Sequence, residues 1–259
     1  MLESMKFTFN YINSEDMGVI MINNGNGLYE ESFLPSRSIL ETKVYGRNKP
    51  YFKGVEEQPL SFNLSFYIEG WKDSNNLRQI AQWFYQAYYK PIWFESNPEQ
   101  VFYIMFDGDP KLLHNGCQNG YVTLPVRCDS SHSYSFPITH TFSVINEEKT
   151  ILNNEGDITI RPKLKITQYG TEDISIKNEA NGQEFILTGV DIGEVVTVDC
   201  ENESIVSSLE YMDKYLFDNH NDIWLDFEIG DADFTFTGNF ELEITLEYVY
   251  IQSDKPIFF

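Results

Sequence analysis

Leu60-Ser61-Phe62-Asn63-Leu64-Ser65-Phe66-Tyr67-Ile68 decides the fold class. Its apolar residues recur at every second position, the period of a strand with one buried face. The pattern returns late in the chain. There Phe240, Leu242, Ile244, Leu246 and Tyr248 alternate with Glu241, Glu243, Thr245 and Glu247, so one face is apolar and the other carries carboxylates. Working outward, Phe7, Phe9 and Tyr11 alternate with polar residues, and Asn23-Asn24-Gly25-Asn26-Gly27 is turn chemistry. Residues 92–94, 101–106, 121–126 and 138–145 read as further strands, separated by Gly, Asn, Asp and Pro. In the second half, 174–176 and 185–187 flank Asn181-Gly182, a primed-turn hairpin signal, and 195–199, 223–229 and 234–237 also read as strands. With 20 Phe and 16 Tyr in 259 residues, the side chains suit pleated surfaces. The predicted fold class is mostly β.

One helix interrupts this pattern. Asp73 or Ser74 caps a segment in which Leu77, Ile80, Ala81, Phe84 and Tyr88 share a face, and Pro91 ends it. Trp83, Tyr85 and Tyr89 place aromatics around most of its circumference, which predicts packing in a core or against a neighbouring subunit.

The length favours two domains. Lys149 to Gly156 is a polar join, so the domains are expected at 1–148, β-rich with the helix, and 149–259, a β-sandwich or jelly roll of short strands. Charge divides unevenly between the halves. Residues 1–144 hold 15 acidic and 11 basic side chains, net −4, and residues 145–259 hold 25 acidic and 7 basic, net −18. A chain of net charge −22 repels phosphate backbones, which argues against specific nucleic-acid binding.

Cys117, Cys128 and Cys200 lack CxxC spacing, and His114, His132, His140 and His220 lie scattered away from them, so neither a disulfide framework nor a zinc site follows. Idle thiols in a reducing cytoplasm are expected. The N-terminus has no apolar signal core, and no stretch approaches about 18 uninterrupted apolar residues, so neither secretion nor membrane insertion is predicted. Nucleophile-elbow, zinc-protease, phosphate-loop and dinucleotide motifs are absent from the sequence. Carboxylate pairs such as Asp107/Asp109, Asp231/Asp233 and Glu241/Glu243 arise readily in an acidic chain, and Asp107-Gly108-Asp109 does not meet the EF-hand pattern. No catalytic residue, metal or cofactor is expected. Carbohydrate binding is the alternative function, because Asn219, Asn221, Asp222 and Trp224 combine an aromatic plane with hydroxyl partners.

A family resemblance rests on Phe7-Thr8-Phe9-Asn10, Asp16-Met17-Gly18-Val19-Ile20, Ser36-Arg37-Ser38-Ile39 and Val44-Tyr45-Gly46-Arg47. It continues through 59–66 and the helix at 77–89. In the second half Ile151-Leu152-Asn153-Asn154-Glu155-Gly156-Asp157, Arg161-Pro162-Lys163-Leu164-Lys165-Ile166, Phe185-Ile186-Leu187 and Val196-Thr197-Val198-Asp199 carry it further. The chain resembles the distal tail proteins of long-tailed, non-contractile bacteriophages.

That resemblance implies a non-enzymatic structural hub. Its N-terminal domain would form a hexameric ring, single or paired, and its C-terminal domain would be galectin-like or jelly-roll. The implied partners are other copies of the chain, the tail tube protein, the tail-tip protein and a receptor-binding protein. The implied location is the virion tail tip, after assembly in the host cytoplasm. Arg37, Arg47, Trp83, Tyr85 and Tyr89 are the expected interface residues, and Glu30, Glu31, Glu56 and Glu57 the expected lumen carboxylates. The apolar C-terminus, Pro256-Ile257-Phe258-Phe259, is expected to dock on the first domain or on a neighbour.

Overall fold

The computed structural model describes residues 6–22, 35–114, 120–212 and 214–251. It forms two compact units, Met1–Tyr134 with Tyr250–Phe259, and Ser135–Val249. Among the described residues it is mostly β with one α-helix, as the sequence predicts. No helix among them is long and apolar enough to cross a membrane.

In the first unit the strands are β1 (Phe7–Phe9), β2 (Ile12–Asn13), β3 (Val19–Ile22), β4 (Arg37–Thr42), β5 (Tyr51–Glu57) and β6 (Ser61–Ile68). After helix α1 (Ser74–Phe84) come β7 (Lys90–Phe94), β8 (Asn97–Phe106), β9 (Lys111–His114), β10 (Gly120–Cys128) and β11 (Ser133–Ser135). The main sheet runs β2-β1-β7-β8-β10-β6-β3, every neighbour antiparallel. β4 and β5 stand outside it as a two-stranded sheet of their own.

The alternation read in 60–68 sets the inner face of this unit, with Leu64, Phe66 and Ile68 buried and Leu60 and Phe62 packed at the margin. α1 covers that face with Ile80, Trp83 and Phe84. Phe7 stacks on Trp83 with ring centroids 5.8 Å apart and Phe66 on Phe84 at 5.2 Å. Such ring pairs add about 0.5–1.5 kcal/mol each beyond the area they bury.

The first strand is shorter than the alternation through Tyr11 suggests. Asn10 and Tyr11 both take positive φ, 49° and 64°, so they turn the chain into β2 and leave Tyr11 exposed. The helix is also shorter than the sequence predicts. Asp73 caps its start by accepting from the Asn75 N–H at 2.9 Å, as expected. Its end comes at Phe84, because Tyr85 leaves helical geometry and Gln86 Nε2 occupies the Trp83 carbonyl at 2.8 Å.

The second unit contains β12 (Ile138–Asn154), β13 (Lys163–Gln168), β14 (Ile174–Asn178), β15 (Glu184–Leu187), β16 (Val195–Asp199), β17 (Ser204–Ser207) and β18 (Gly230–Leu246). The strand β19 (Val249–Tyr250) leads out of it. β12 and β18 are 17 residues each and pair along their whole length. On its other side β18 pairs residues 234–237 with β14 and residues 240–245 with β13. The break falls at Gly238, whose φ of 135° and approach to the Asp173 carbonyl, 3.0 Å from where a Cβ would stand, leave no room for a side chain. Phe234, Phe236, Phe240, Leu242, Ile244 and Leu246 nonetheless face one core.

Three sequence readings change here. The units divide at Tyr134 and Ser135, whereas the polar run expected to join two domains at 149 lies mostly inside β12, whose Glu147, Glu148 and Lys149 point outward from an exposed strand. An outward strand face and a linker have the same composition. Residues 223–229 form only an isolated bridge, Phe227 to Ile160, because side chains hold their backbone. Asn178, Asn181 and Asn154 amides donate to the Asp226 and Phe227 carbonyls, and Gln183 Oε1 accepts from the Asp226 N–H at 2.7 Å. The 181–182 hairpin is present, but its last strand pair is Lys177 with Glu184, so the loop is wider than a two-residue primed turn.

Cys128 and Cys200 are buried and unpaired, and burial pushes their thiols up to about 12 and about 11. Cys117, the turn at 23–27 and the apolar C-terminus at 256–259 lie outside the described residues.

Candidate assembly interface

The arm formed by β4 and β5 has no buried residue on either strand. It leaves Ile39, Leu40, Tyr51, Phe52 and Val55 largely exposed, Phe52 at 69%. Scattered surface apolar residues need no explanation, but a contiguous hairpin of them does. A free two-stranded ribbon is marginal in water, so an arm of this kind is stable only with support at its root or along its length.

The root is built from both sides. Gln58 N–H donates to the Ser36 carbonyl at 2.9 Å, and the Leu60 N–H donates to the Ser130 carbonyl at 2.9 Å. Glu57 gathers the remaining contacts. It accepts from Ser131 Oγ at 2.8 Å, pairs with Arg37 at 2.7 Å across the arm and lies 3.5 Å from His132 Nε2. The Ser131 hydrogen bond is the largest influence on the Glu57 carboxyl; burial opposes it, and the Arg37 and His132 charges tip the balance so that the group stays below its usual value.

At the tip, Arg47 N–H bonds back to the Val44 carbonyl at 3.2 Å across a turn whose third residue, Gly46, has φ 81°. That position of a type II turn excludes most side chains. The Arg47 guanidinium sits over the Tyr51 ring, 4.2 Å from its centroid. Residues 42–55 hold Lys43, Arg47, Lys49 and Lys53 and no acid, in a chain of net charge −22. The sequence reading singled out the two arginines but missed this local reversal of sign, which a running charge count along the chain would have exposed.

In the same unit a cleft of about 870 Å³ opens between α1 and the end of β8. Leu77, Ala81 and Phe84 line it from the helix side, and Phe106, Leu112 and Val122 from the sheet. Among the described residues of that lining Asp107 is the one charged side chain. Such a volume is typical of pockets that take a drug-sized molecule or a few side chains.

The expected interface residues separate. Arg37 and Arg47 lie on the arm, Arg37 in an ion pair with its own hairpin partner. Trp83 is a core residue, 5% exposed, and its indole N–H donates to the Phe9 carbonyl at 3.0 Å. Its place on a crowded aromatic helix was legible from sequence; the side it faces was not. Tyr85 is 91% exposed at the rim of the cleft, and Tyr89 is partly exposed just beyond it in sequence. Of the expected lumen carboxylates, Glu57 is engaged at the arm root, Glu56 is exposed on the arm, and Glu30 and Glu31 lie outside the described residues.

Of the candidate sugar site, Asn221 is engaged by local structure. The Asn221 amide accepts from the Ile186 N–H at 3.1 Å and donates to the Glu184 carbonyl at 2.7 Å, so its polar atoms hold β15. The Asn219 carbonyl accepts from the Thr188 N–H at 3.0 Å. Trp224 is half-buried against His220, ring centroids 4.6 Å apart, and Asp222 points into solvent from a backbone at φ 58°.

A phage tail protein N-terminal domain family matches residues 2–130, and a phage tail C-terminal domain family matches residues 132–248. The chain belongs to this phage tail protein family. The two matched segments meet within a few residues of the boundary between the compact units.

The SPbeta prophage-derived uncharacterized protein YomH of Bacillus subtilis (strain 168) is 30% identical to this tail protein over 251 residues, which is 96% of this chain and 99% of the relative. In fold, the tail protein matches the Dit protein of phage SPP1, described as a paradigm of hub adsorption apparatus in phages infecting Gram-positive hosts. The TM-score is 0.68 at 13% identity, covering 95% of this chain and all of that one. A chain of the phage P2 baseplate in its activated conformation with calcium matches with a TM-score of 0.50 at 7% identity, covering 95% of this chain and 98% of that one. The resemblance read from the sequence is therefore borne out: the family is one of phage tail proteins, and the fold is that of a distal tail protein.

Proposed function

We propose that this tail protein is a ring-forming distal tail hub, without enzymatic activity. Six copies would close through their first units and join the tail tube to the tail tip and its host-adsorption parts. The observation that carries this reading is the arm. A monomer has no use for a bare apolar hairpin fixed at its root, whereas a ring requires a surface that fits a different surface on the next copy. The fold shared with a hub protein supports the same reading.

The second unit, galectin-like in this reading, would serve as a mount for receptor-binding parts. Its net charge of about −18 over residues 145–259 favours solubility at the high local concentration of a tail tip. Sedimentation or light scattering of the purified full chain tests the proposal. A hexameric mass supports it, and a monomer at every accessible concentration defeats it.

A further inference from the structure

We infer that the open edge of β12 pairs with the same edge of a second copy of this chain, antiparallel and about a two-fold axis at Glu148. The contact lies in the second unit, so it goes beyond ring closure through the first unit and does not depend on it. β12 pairs with β18 along all of its 17 residues, and no strand among the described residues pairs with its other side. An open edge of that length is a template for another strand.

The sequence of the edge selects the occupant. In an antiparallel pair centred on Glu148, position 147 lies opposite 149 of the other copy, and 145 opposite 151. Ile145, Glu147, Lys149 and Ile151 stand on one face of the strand, so this row meets itself with isoleucine against isoleucine and glutamate against lysine. Both isoleucines are open to cover, Ile145 at 72% exposed and Ile151 at 65%. Glu147 and Lys149 now pair within their own strand at 3.3 Å, an exposed ion pair that is readily exchanged for one across the axis. Moving the centre by one residue destroys the match. Centred on Glu147, Ile145 faces Lys149; centred on Lys149, Ile151 faces Glu147.

Three features keep the contact weak. Glu148 meets its own copy on the axis, and Asn146, at φ 64°, bends the strand beside it. The paired regions also repel, each carrying about −18 over residues 145–259. Pairing is therefore expected at high protein concentration and at salt that screens charge.

Disulfide trapping tests the inference in the full chain carrying Cys117→Ser. Glu148→Cys sets the two thiols opposite each other with Cα atoms about 4.5–5.5 Å apart, inside the disulfide range. Mild oxidation is expected to give a covalent dimer about tenfold faster than with Glu147→Cys or Ile151→Cys, which do not face themselves, while Cys128 and Cys200 stay inert because they are buried. Glu147→Cys mixed with Lys149→Cys should link about tenfold faster than either alone. Adding Ile145→Lys and Ile151→Lys to Glu148→Cys should slow trapping about tenfold with unchanged circular dichroism, since both side chains are exposed. In sedimentation, Glu148→Gln should dimerise at lower concentration than the wild type.

Equal trapping at 147, 148 and 151 would mean collision without register and overturn the inference. A Glu148→Cys chain that stays unlinked at high concentration and high salt would do the same. Register-specific trapping in a chain that never reaches hexameric mass would remove the ring reading and leave this contact standing, and a hexamer without trapping would do the reverse.

Discussion

Two antiparallel ribbons in this tail protein, β4–β5 and β12–β18, are built by the same backbone pairing and have opposite fates. In β18 every second residue is buried from Ala232 to Leu246, and neighbouring strands cover the ribbon. In the arm no residue is buried, although it also carries aromatic and β-branched side chains. Composition therefore does not separate them. Regular alternation does: the long ribbon keeps the period of two throughout, while the arm carries apolar residues on both faces and is bulged between Leu40 and Glu41. A ribbon with one apolar face is completed by its own chain. One with two is left bare by the described residues of its own chain.

The contrast is tested first at its strongest point. Phe236 is fully buried in the long ribbon, and Phe236→Ala is expected to lower the unfolding free energy by about 3–5 kcal/mol in urea denaturation. A loss below about 1 kcal/mol would mean that the ribbon is not the core element described here. The same truncation in the arm should behave differently. Tyr51→Ala with Phe52→Ala is expected to lower the stability of the monomer by no more than about 1 kcal/mol, since both side chains are largely exposed and only the Tyr51 contact with Arg47 is lost, while dispersing the proposed ring in light scattering. A large fall in monomer stability would show that the arm packs on its own chain.

A smaller effect is expected at the arm root. Because the folded protein holds Glu57 below its usual value, the contribution of this carboxylate is complete above the ordinary carboxylate range and disappears as pH falls through the lowered value. Protection of the β4 and β5 amides, taken as exchange relative to the intrinsic rate at each pH, should therefore fall on acidification below about pH 4.5, and Glu57→Gln should show the lower protection already at neutral pH. An arm whose exchange is indifferent to both would mean that the root is held by backbone pairing alone. The smallest effect belongs to Arg47→Ala, which removes an exposed cation–π contact of roughly 0.5–1 kcal/mol. It is expected to weaken assembly by a few-fold in concentration-dependent light scattering, and more at low salt than at high salt.

Much of the fold was legible because burial leaves a periodic trace. The strands at 60–68 and 195–199, and the helix start at Asp73, follow from alternation and capping chemistry that act within a few residues. The errors came where a local pattern is shared by two structures. Lys149 to Gly156 has the composition of a linker and of an exposed strand face alike, and 223–229 has the composition of a strand whose backbone is instead claimed by distant asparagine and glutamine amides. The candidate site divides in the same way. Arg37 and Arg47 were found because strand edges and turns mark them, and for Trp83, where the pattern left a core and a subunit interface open, the fold chooses the core.

By itself the sequence determined a mostly β chain with one helix, an acidic second half, and the likeness to distal tail proteins. Periodicity, charge and residue identity are local quantities, and they survive without coordinates. Only the tertiary structure decided that residues 37–57 leave the body as a bare arm, that Glu57 meets Ser131, Arg37 and His132 at its root, and that α1 leaves a cleft beside Asp107. Each of these depends on residues far apart in the chain coming together, or on apolar residues finding nothing among the described residues of their own chain to bury them. Sequence shows that a side chain is apolar, and the fold alone determines whether its partner lies in the same molecule.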